Sequence, residues 1–241
     1  MESTLCIPGN WADRNELLQS IITTSNGRYL PGGFMLFDSQ EKRHCILEVV
    51  DHDPKMYEAF AIAGRPTGYS AAALSKIAAH KLVVYITTET GNLADAKYLA
   101  DTAAMLLHAG GLGVKVETTG KAFEKEQWLE QLTDFEENKL YPLFVLDSIV
   151  DREQNVYSCG MHNLGLPDTI VSGVPFQEAV NLMQTFHYYQ LMEQPVITNN
   201  QTFSTAPDAP VYIITEETEQ PYQGDELFEN PFGMWRLTPA S

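Results

Sequence analysis

The sequence predicts an α+β fold, a mixed and mainly antiparallel sheet with helices packed on it. Three observations carry this. Segments with the 3.6-residue period of a helix and segments with strand-like runs follow one another irregularly. Strand-like pairs separated by short polar turns read as hairpins, which a doubly wound parallel sheet lacks. Finally, 44% of the 241 residues are hydrophobic, enough for a sizeable core, and no run approaches the ~18 apolar residues of a membrane span.

Along the chain, Asp13–Thr24 reads as a helix because Leu17, Leu18, Ile21 and Ile22 form one stripe behind an acidic first turn. Asn26-Gly27 and Pro31-Gly32-Gly33 punctuate its exit. Phe34–Phe37 and Cys45–Val50 predict a hairpin across the polar Asp38–Arg43 turn. Asp53-Pro54 opens a helix to about Ala63; Gly64, Pro66 and Gly68 break it, and Ser70–Ala79 forms another. Lys81–Thr87 is the clearest strand. Leu93–Ala109 is the clearest helix, with Leu93, Ala96, Ala100, Ala103 and Leu107 at three- and four-residue steps.

Gly110-Gly111 ends that helix, Val114–Val116 reads as a strand, and Glu124–Phe135 as an amphipathic helix carrying Trp128, Leu129 and Leu132. Leu143–Val150 and Asn155–Cys159 predict a second hairpin across Asp151–Gln154. Pro175–Met192 is apolar on most faces and therefore a buried helix. Pro195–Thr198, Val211–Thr215 and Met234–Leu237 are expected as short strands. The organisation expected is an N-terminal α+β segment over 1–79, packed on an α+β domain over 80–241.

Thirty-two acids against fifteen bases give a formal charge of −17, which repels phosphate backbones and anionic lipid surfaces. No nucleic-acid or membrane partner is expected. The Met1–Gly9 stretch has no basic region followed by a long apolar run, so no signal peptide is predicted and a cytoplasmic setting is expected. Cys6, Cys45 and Cys159 have no paired spacing and predict no disulfide framework. The imbalance is concentrated: residues 161–241 carry ten acids and one base, Arg236, and the 83 residues from Glu153 to Trp235 contain no Lys or Arg. Such a segment projects a negative field that speeds capture of a basic partner.

His80–Tyr85 entering a central strand, the long helix leading into Gly110–Val114, Trp128, the Tyr157–Met161 strand end, Gly160–Asp168 and His187-Tyr188-Tyr189 occur in this order. Over residues 80–240 they resemble a bacterial domain-of-unknown-function family numbered 4261. The Gly-x-x-x-Leu-Gly-Leu-Pro-Asp stretch, Gly160 to Asp168, is the most specific part. Members carry an acidic-apolar-acidic run after the proline, where this chain has Asp168-Thr169-Ile170. The resemblance implies no established activity, only a loose association with toxin and immunity loci.

Constellations with chemical content are few. Cys159, His162 and Asp168 bring a thiol, an imidazole and a carboxylate close in sequence, but a nucleophilic cysteine needs its base within hydrogen-bond reach. Gly160, Gly165, Pro167 and Asp168 read instead as a structural turn. Asp51-His52-Asp53 offers metal-ligand types, yet neighbours on an extended chain point alternately, so no metal site is assigned. Gly120-Lys121 lacks the glycine and the Ser/Thr of a phosphate loop. His44, His80, His108 and His187 have no i, i+4 partner. No catalytic residue and no cofactor is assigned.

Tyr222, Phe228, Phe232 and Trp235 cluster among six acids from Glu216 to Glu229, aromatic anchors within an acidic rim. The expected partner-binding residues are Glu216, Glu217, Glu219, Tyr222, Asp225, Glu226, Phe228 and Trp235. The expected function is non-enzymatic binding of a basic protein, in its narrowest form an immunity-type protein neutralising a basic toxin or effector. The rivals are an enzyme with a cleft using Asp51, His52, His162 or Asp168, and a structural or assembly component.

Overall fold

The computed structural model describes residues 1–240 and divides into two compact units, Met1–Thr90 with Ala94–Phe135, and Gly91–Leu93 with Glu136 onward. Seven α-helices and two mostly antiparallel sheets among the described residues make it α+β. Among the described residues no helix is long and apolar enough to cross a membrane.

The first unit holds β1 (Glu2–Gly9), α1 (Arg14–Thr24), β2 (Tyr29–Gly32), β3 (Met35–Asp38), β4 (Arg43–Asp51), α2 (Met56–Ala63) and α3 (Ala71–Ala78). β5 (Leu82–Glu89), most of α4 (Leu93–His108), β6 (Gly113–Val116), β7 (Lys121–Glu124) and α5 (Lys125–Leu132) complete it. The strands form an antiparallel sheet in the order β2-β3-β4-β5-β1-β6-β7. β1 pairs with β5 over eight residues and with β6 on its other side. The boundary expected at 79/80 therefore falls inside this unit, because strands from both sides of it share one sheet.

Residues opposite each other in an antiparallel pair share a face. On one face Leu5, Ile7, Leu36, Cys45, Leu47, Val84 and Ile86 are fully buried. That face meets α4: Tyr29 reaches Thr102, Arg43 pairs with Asp95 at 2.5 Å, and Trp11 Nε1 donates to the Ala109 carbonyl at 2.7 Å. Trp128 of α5 stacks edge-on against Phe123 and donates to the Ala100 carbonyl at 3.1 Å. On the other face Cys6, Val83 and Ala122 pack with Met56, Phe60, Ala63 and Ile77 of α2 and α3, with Val50 and Tyr85 at the edge of the cluster. Helices on both faces explain why Leu82–Ile86 reads as an uninterrupted apolar run rather than an alternating strand.

The second unit holds α6 (Leu140–Phe144), β8 (Leu146–Val150), β9 (Val156–Cys159), β10 (Asp168–Val171), α7 (Phe176–Glu193), β11 (Thr202–Phe203), β12 (Tyr212–Glu216) and β13 (Met234–Pro239). Its sheet runs β11-β12-β13-β10-β9-β8, with β10 and β13 parallel and the other pairs antiparallel. α7 lies across it, burying Ala179, Leu182, Met183 and Phe186 against Val156, Val171, Ile214 and Leu237.

Several elements differ from the expectation. β1, β2 and β7 are among the strands outside the expected ranges, as is the two-residue β11: β1 contains Pro8 and ends in Gly9, and β2 contains Pro31-Gly32, residues that read as turn formers. Pro195–Thr198 is not a strand. It leaves α7 after Gln194, which is left-handed at φ +47, and Val196 is exposed, so nothing pairs with it. Leu143-Phe144 belongs to α6, and the strand begins at Leu146. The helix at Trp128 starts where Glu124 and Gln127 form a capping box and stops at Leu132.

Ala100 is fully buried and its carbonyl takes the Trp128 indole. Ala100→Glu buries an unpaired charge there and is expected to cost about 4 kcal/mol or more. Urea denaturation checks this; an unchanged midpoint would mean that the alanine stripe is exposed.

Candidate functional site

The most concentrated polar chemistry of the second unit is buried beneath the connection between β12 and β13. Asp168, at the head of β10, is fully buried. Its Oδ1 accepts the Ser158 hydroxyl at 2.7 Å and the Met161 amide at 3.3 Å, and its Oδ2 accepts the Asn230 amide at 2.7 Å. The same Asn230 nitrogen donates to the Leu166 carbonyl at 3.0 Å. The carboxylate is thus held by neutral donors from β9, the 3₁₀ turn after it, and the long connection.

The 3₁₀ turn Met161–Leu164 is closed by Gly160 and Gly165, both left-handed at φ +117 and +78. At Gly165 a Cβ would lie 2.1 Å from the Gly91 carbonyl oxygen, so only glycine fits. The positions expected as a structural turn, with Pro167 and Asp168, are therefore the ones that set the carboxylate beneath the loop.

His187 of α7 completes the network. Tyr141 OH donates to Asp147 at 2.8 Å, so at 3.0 Å it accepts from His187 Nδ1–H. Nε2 then carries the lone pair and takes the Thr169 hydroxyl proton at 2.8 Å, a tautomer inferred from the network. Burial pushes His187 down to about 4. Ser158, His187 and Asp168 are the side-chain types of a hydrolase triad, but their protons run elsewhere. Ser158 gives its proton to Asp168, and its oxygen lies 3.5 Å from a His187 nitrogen already occupied by Thr169. A triad needs serine to donate to histidine. This network is a scaffold.

The other sequence-predicted groups are placed as follows. Cys159 is buried, and burial pushes its thiol up, against a thiolate. His162 is fully buried with neither ring nitrogen hydrogen-bonded; Nδ1 stands 4.0 Å from Asp168, and burial lowers its pKa against the pull of that carboxylate. Asp51 and His52 belong to the first unit, His162 and Asp168 to the second. His52 Nδ1 donates to the His80 carbonyl at 2.8 Å, and His80 accepts the Asp53 amide at 3.1 Å, so this triplet serves a turn. Among the described residues no three His, Cys, Asp or Glu side chains are grouped to hold a metal ion. Gly120-Lys121 lies in the β6–β7 hairpin.

Residues 217–233, between β12 and β13, form an irregular connection longer than an ordinary hairpin loop. Tyr222 OH donates to the Ser158 carbonyl at 2.9 Å and its ring stands against Tyr157. Gln220 and Asn230 exchange two bonds at 2.9 Å. Arg236 ion-pairs with Glu217, its Nε at 2.6 Å. Burial pushes Glu217 up, but the Glu219 amide and Arg236 outweigh it and hold the carboxyl below its usual range. Of the eight residues expected to bind a partner, Glu216, Glu219, Asp225 and Glu226 are exposed and Phe228 is half-buried. Glu217 and Tyr222 anchor the loop, and Trp235 packs on the core. The exposed apolar side chains of the loop are Leu227 and Phe232.

Sequence reasoning had no signal for Asn230, Ser158, Tyr141 or Asp147 as a connected set. The partners lie up to 62 residues apart, and only the sheet brings them together. Comparison of the chain with protein-family models, curated proteins and solved structures finds no match.

Two outcomes follow. Asp168→Asn sets a donor against donors and is expected to cost about 2–4 kcal/mol, with hydrogen exchange of residues 217–233 accelerated; unchanged exchange would detach the loop from Asp168. The second concerns pH. A free imidazole protonates near 6.5 and the folded His187 near 4, so between them the unfolded state binds more protons. Stability is full above 6.5 and falls as pH drops toward 4, by roughly 3 kcal/mol, with His162 and His80 acting in the same direction. Denaturant midpoints from pH 7 to 4.5 read this, and His187→Gln should flatten the curve.

Proposed function

We propose that this is a non-enzymatic binding protein that captures a basic protein partner through the 217–233 loop. The observation that carries the reading is a loop tied down from beneath by Asn230, Tyr222 and Arg236 while Glu216, Glu219, Asp225, Glu226, Leu227 and Phe232 face outward. A loop held in one conformation loses little entropy on binding. The second unit carries fifteen acids and three bases, net −12, so its field steers a cationic partner while the two apolar side chains supply contact area.

The narrower expectations belong to the same proposal. An immunity-type role against a basic toxin draws on the charge distribution, membership in family 4261 on the Gly160–Asp168 stretch, and a cytoplasmic setting on the N-terminal sequence and the cysteine spacing. The enzyme reading finds less support, since Asp168 and His162 are fully buried and the Ser158 proton is committed.

The test is to identify what co-purifies from the native host at low salt and leaves at high salt, then to follow its association by stopped flow. Glu216→Gln, Glu219→Gln, Asp225→Asn and Glu226→Gln together should slow association about tenfold or more at low ionic strength, with the unfolding midpoint unchanged. Salt should slow the wild type and have little effect on the variant. If rate and salt dependence stay the same in both, the acids serve solubility and the proposal fails. For the narrower form, co-expression should relieve growth inhibition by the captured protein.

A further inference from the structure

The first unit carries a second surface. α2 and α3 cover one end of a sheet face, over Val50, Val83, Tyr85, Cys6 and Ala122. The registers Leu30↔Phe37, Gly32↔Met35 and Met35↔Ile46 continue that face onto β2, β3 and β4. There Leu30, Met35, Phe37 and Ile46 are 40–48% exposed, and Phe34 at the hairpin tip is 75% exposed. The tip is the two-residue loop Gly33-Phe34, with Gly33 at φ +62, the glycine-first pattern of a type II′ turn. A contiguous apolar patch on a sheet otherwise roofed by helices marks an interaction site.

Charge identifies the occupant. On the same face the register sets Glu2 directly opposite Glu89, both exposed. Like charges directly opposite across strands are destabilising, and neither is ion-paired among the described residues. Glu2 and Glu89 line, with Ile46, His44 and Thr87, a depression of about 430 Å³ that Lys42 and Arg43 also wall. Arg43 is already tied to Asp95. Glu48, exposed, stands on the same face beyond Ile46. An apolar patch beside an unneutralised carboxylate pair is complementary to an amphipathic segment with a cationic flank.

Two alternatives fit less well. A second copy of this chain would bring −17 against −17, and the patch is a few side chains wide where a stable dimer buries about 800 Å² per partner. Strand addition at the β2 edge is blocked at Pro31, which has no N–H to donate. We propose that the open β2–β3–β4 face docks a basic amphipathic helix of another protein, its apolar side on Leu30, Met35, Phe37 and Ile46 and a Lys or Arg between Glu2 and Glu89. This site belongs to the first unit, the acidic loop to the second.

The probe is a fluorescein-labelled 18-residue peptide of Leu and Lys at helical spacing, compared with the same peptide carrying Glu for Lys. Anisotropy is measured on the full chain, on Phe37→Ser/Ile46→Thr, on Glu2→Gln/Glu89→Gln, and on the four-site loop variant described above. The basic peptide should bind the wild type and the loop variant alike. It should bind at least tenfold more weakly to the apolar double variant and several-fold more weakly, with less salt dependence, to the Glu double variant; the acidic peptide should not bind. In the unaltered protein, hydrogen exchange should slow in residues 29–48 when the peptide is added, a readout independent of whether the variants fold. Equal affinity for all forms, protection elsewhere than residues 29–48, or sedimentation showing a wild-type dimer that the apolar variant abolishes would overturn the proposal. Loss of binding in the loop variant alone would assign the peptide to the loop and overturn it as well.

Discussion

One buried carboxylate without a cation organises the second unit. Stripping water from an ionised Asp is costly unless hydrogen bonds replace it, and Asp168 obtains them from Ser158, Met161 and Asn230. Each donor belongs to a different segment, so satisfying the charge fixes the end of β9, the 3₁₀ turn and the long loop together. His162, 4.0 Å away, is kept neutral by its own burial and does not serve as the counter-ion. Hydrogen bonds to a charged acceptor are worth roughly twice neutral ones, which is how a loop of polar, turn-forming residues is held in place.

The first unit solves a different problem. β1 inserts between β5 and β6, making its eight-residue pairing with β5 the spine of a seven-stranded sheet. Helices roof one face through α4 and α5, but only one end of the other through α2 and α3. The bare end keeps large apolar side chains in water and two glutamates abreast. Both features run against what folding alone favours, and such local conflicts are expected at functional or strained sites.

The two proposed surfaces, one on each unit, would share a preference for a cationic partner but differ in kind. The loop presents carboxylates around two isolated apolar side chains and is suited to rapid electrostatic capture. The sheet face presents mainly apolar area with charge at one side and is suited to slow release. Binding energy concentrates in desolvated apolar and aromatic anchors, while exposed charge chiefly sets the encounter rate.

Much of the architecture was legible locally. The stripe Ala96, Ala100, Ala103 and Leu107 determined α4, the run Leu82–Ile86 determined β5, and the absence of Lys and Arg from Glu153 to Trp235 determined where negative charge accumulates. These follow from period and composition, which short windows contain. β1 and β2 escaped because proline and glycine signal turns until a neighbouring strand supplies partners. The roles of Tyr222, Glu217 and Trp235 as anchors, and of Asn230 and Ser158 as donors to Asp168, were decided only by the tertiary structure. Whether a tyrosine faces a partner or a buried carbonyl depends on what lies 64 residues away, and no local pattern encodes that distance.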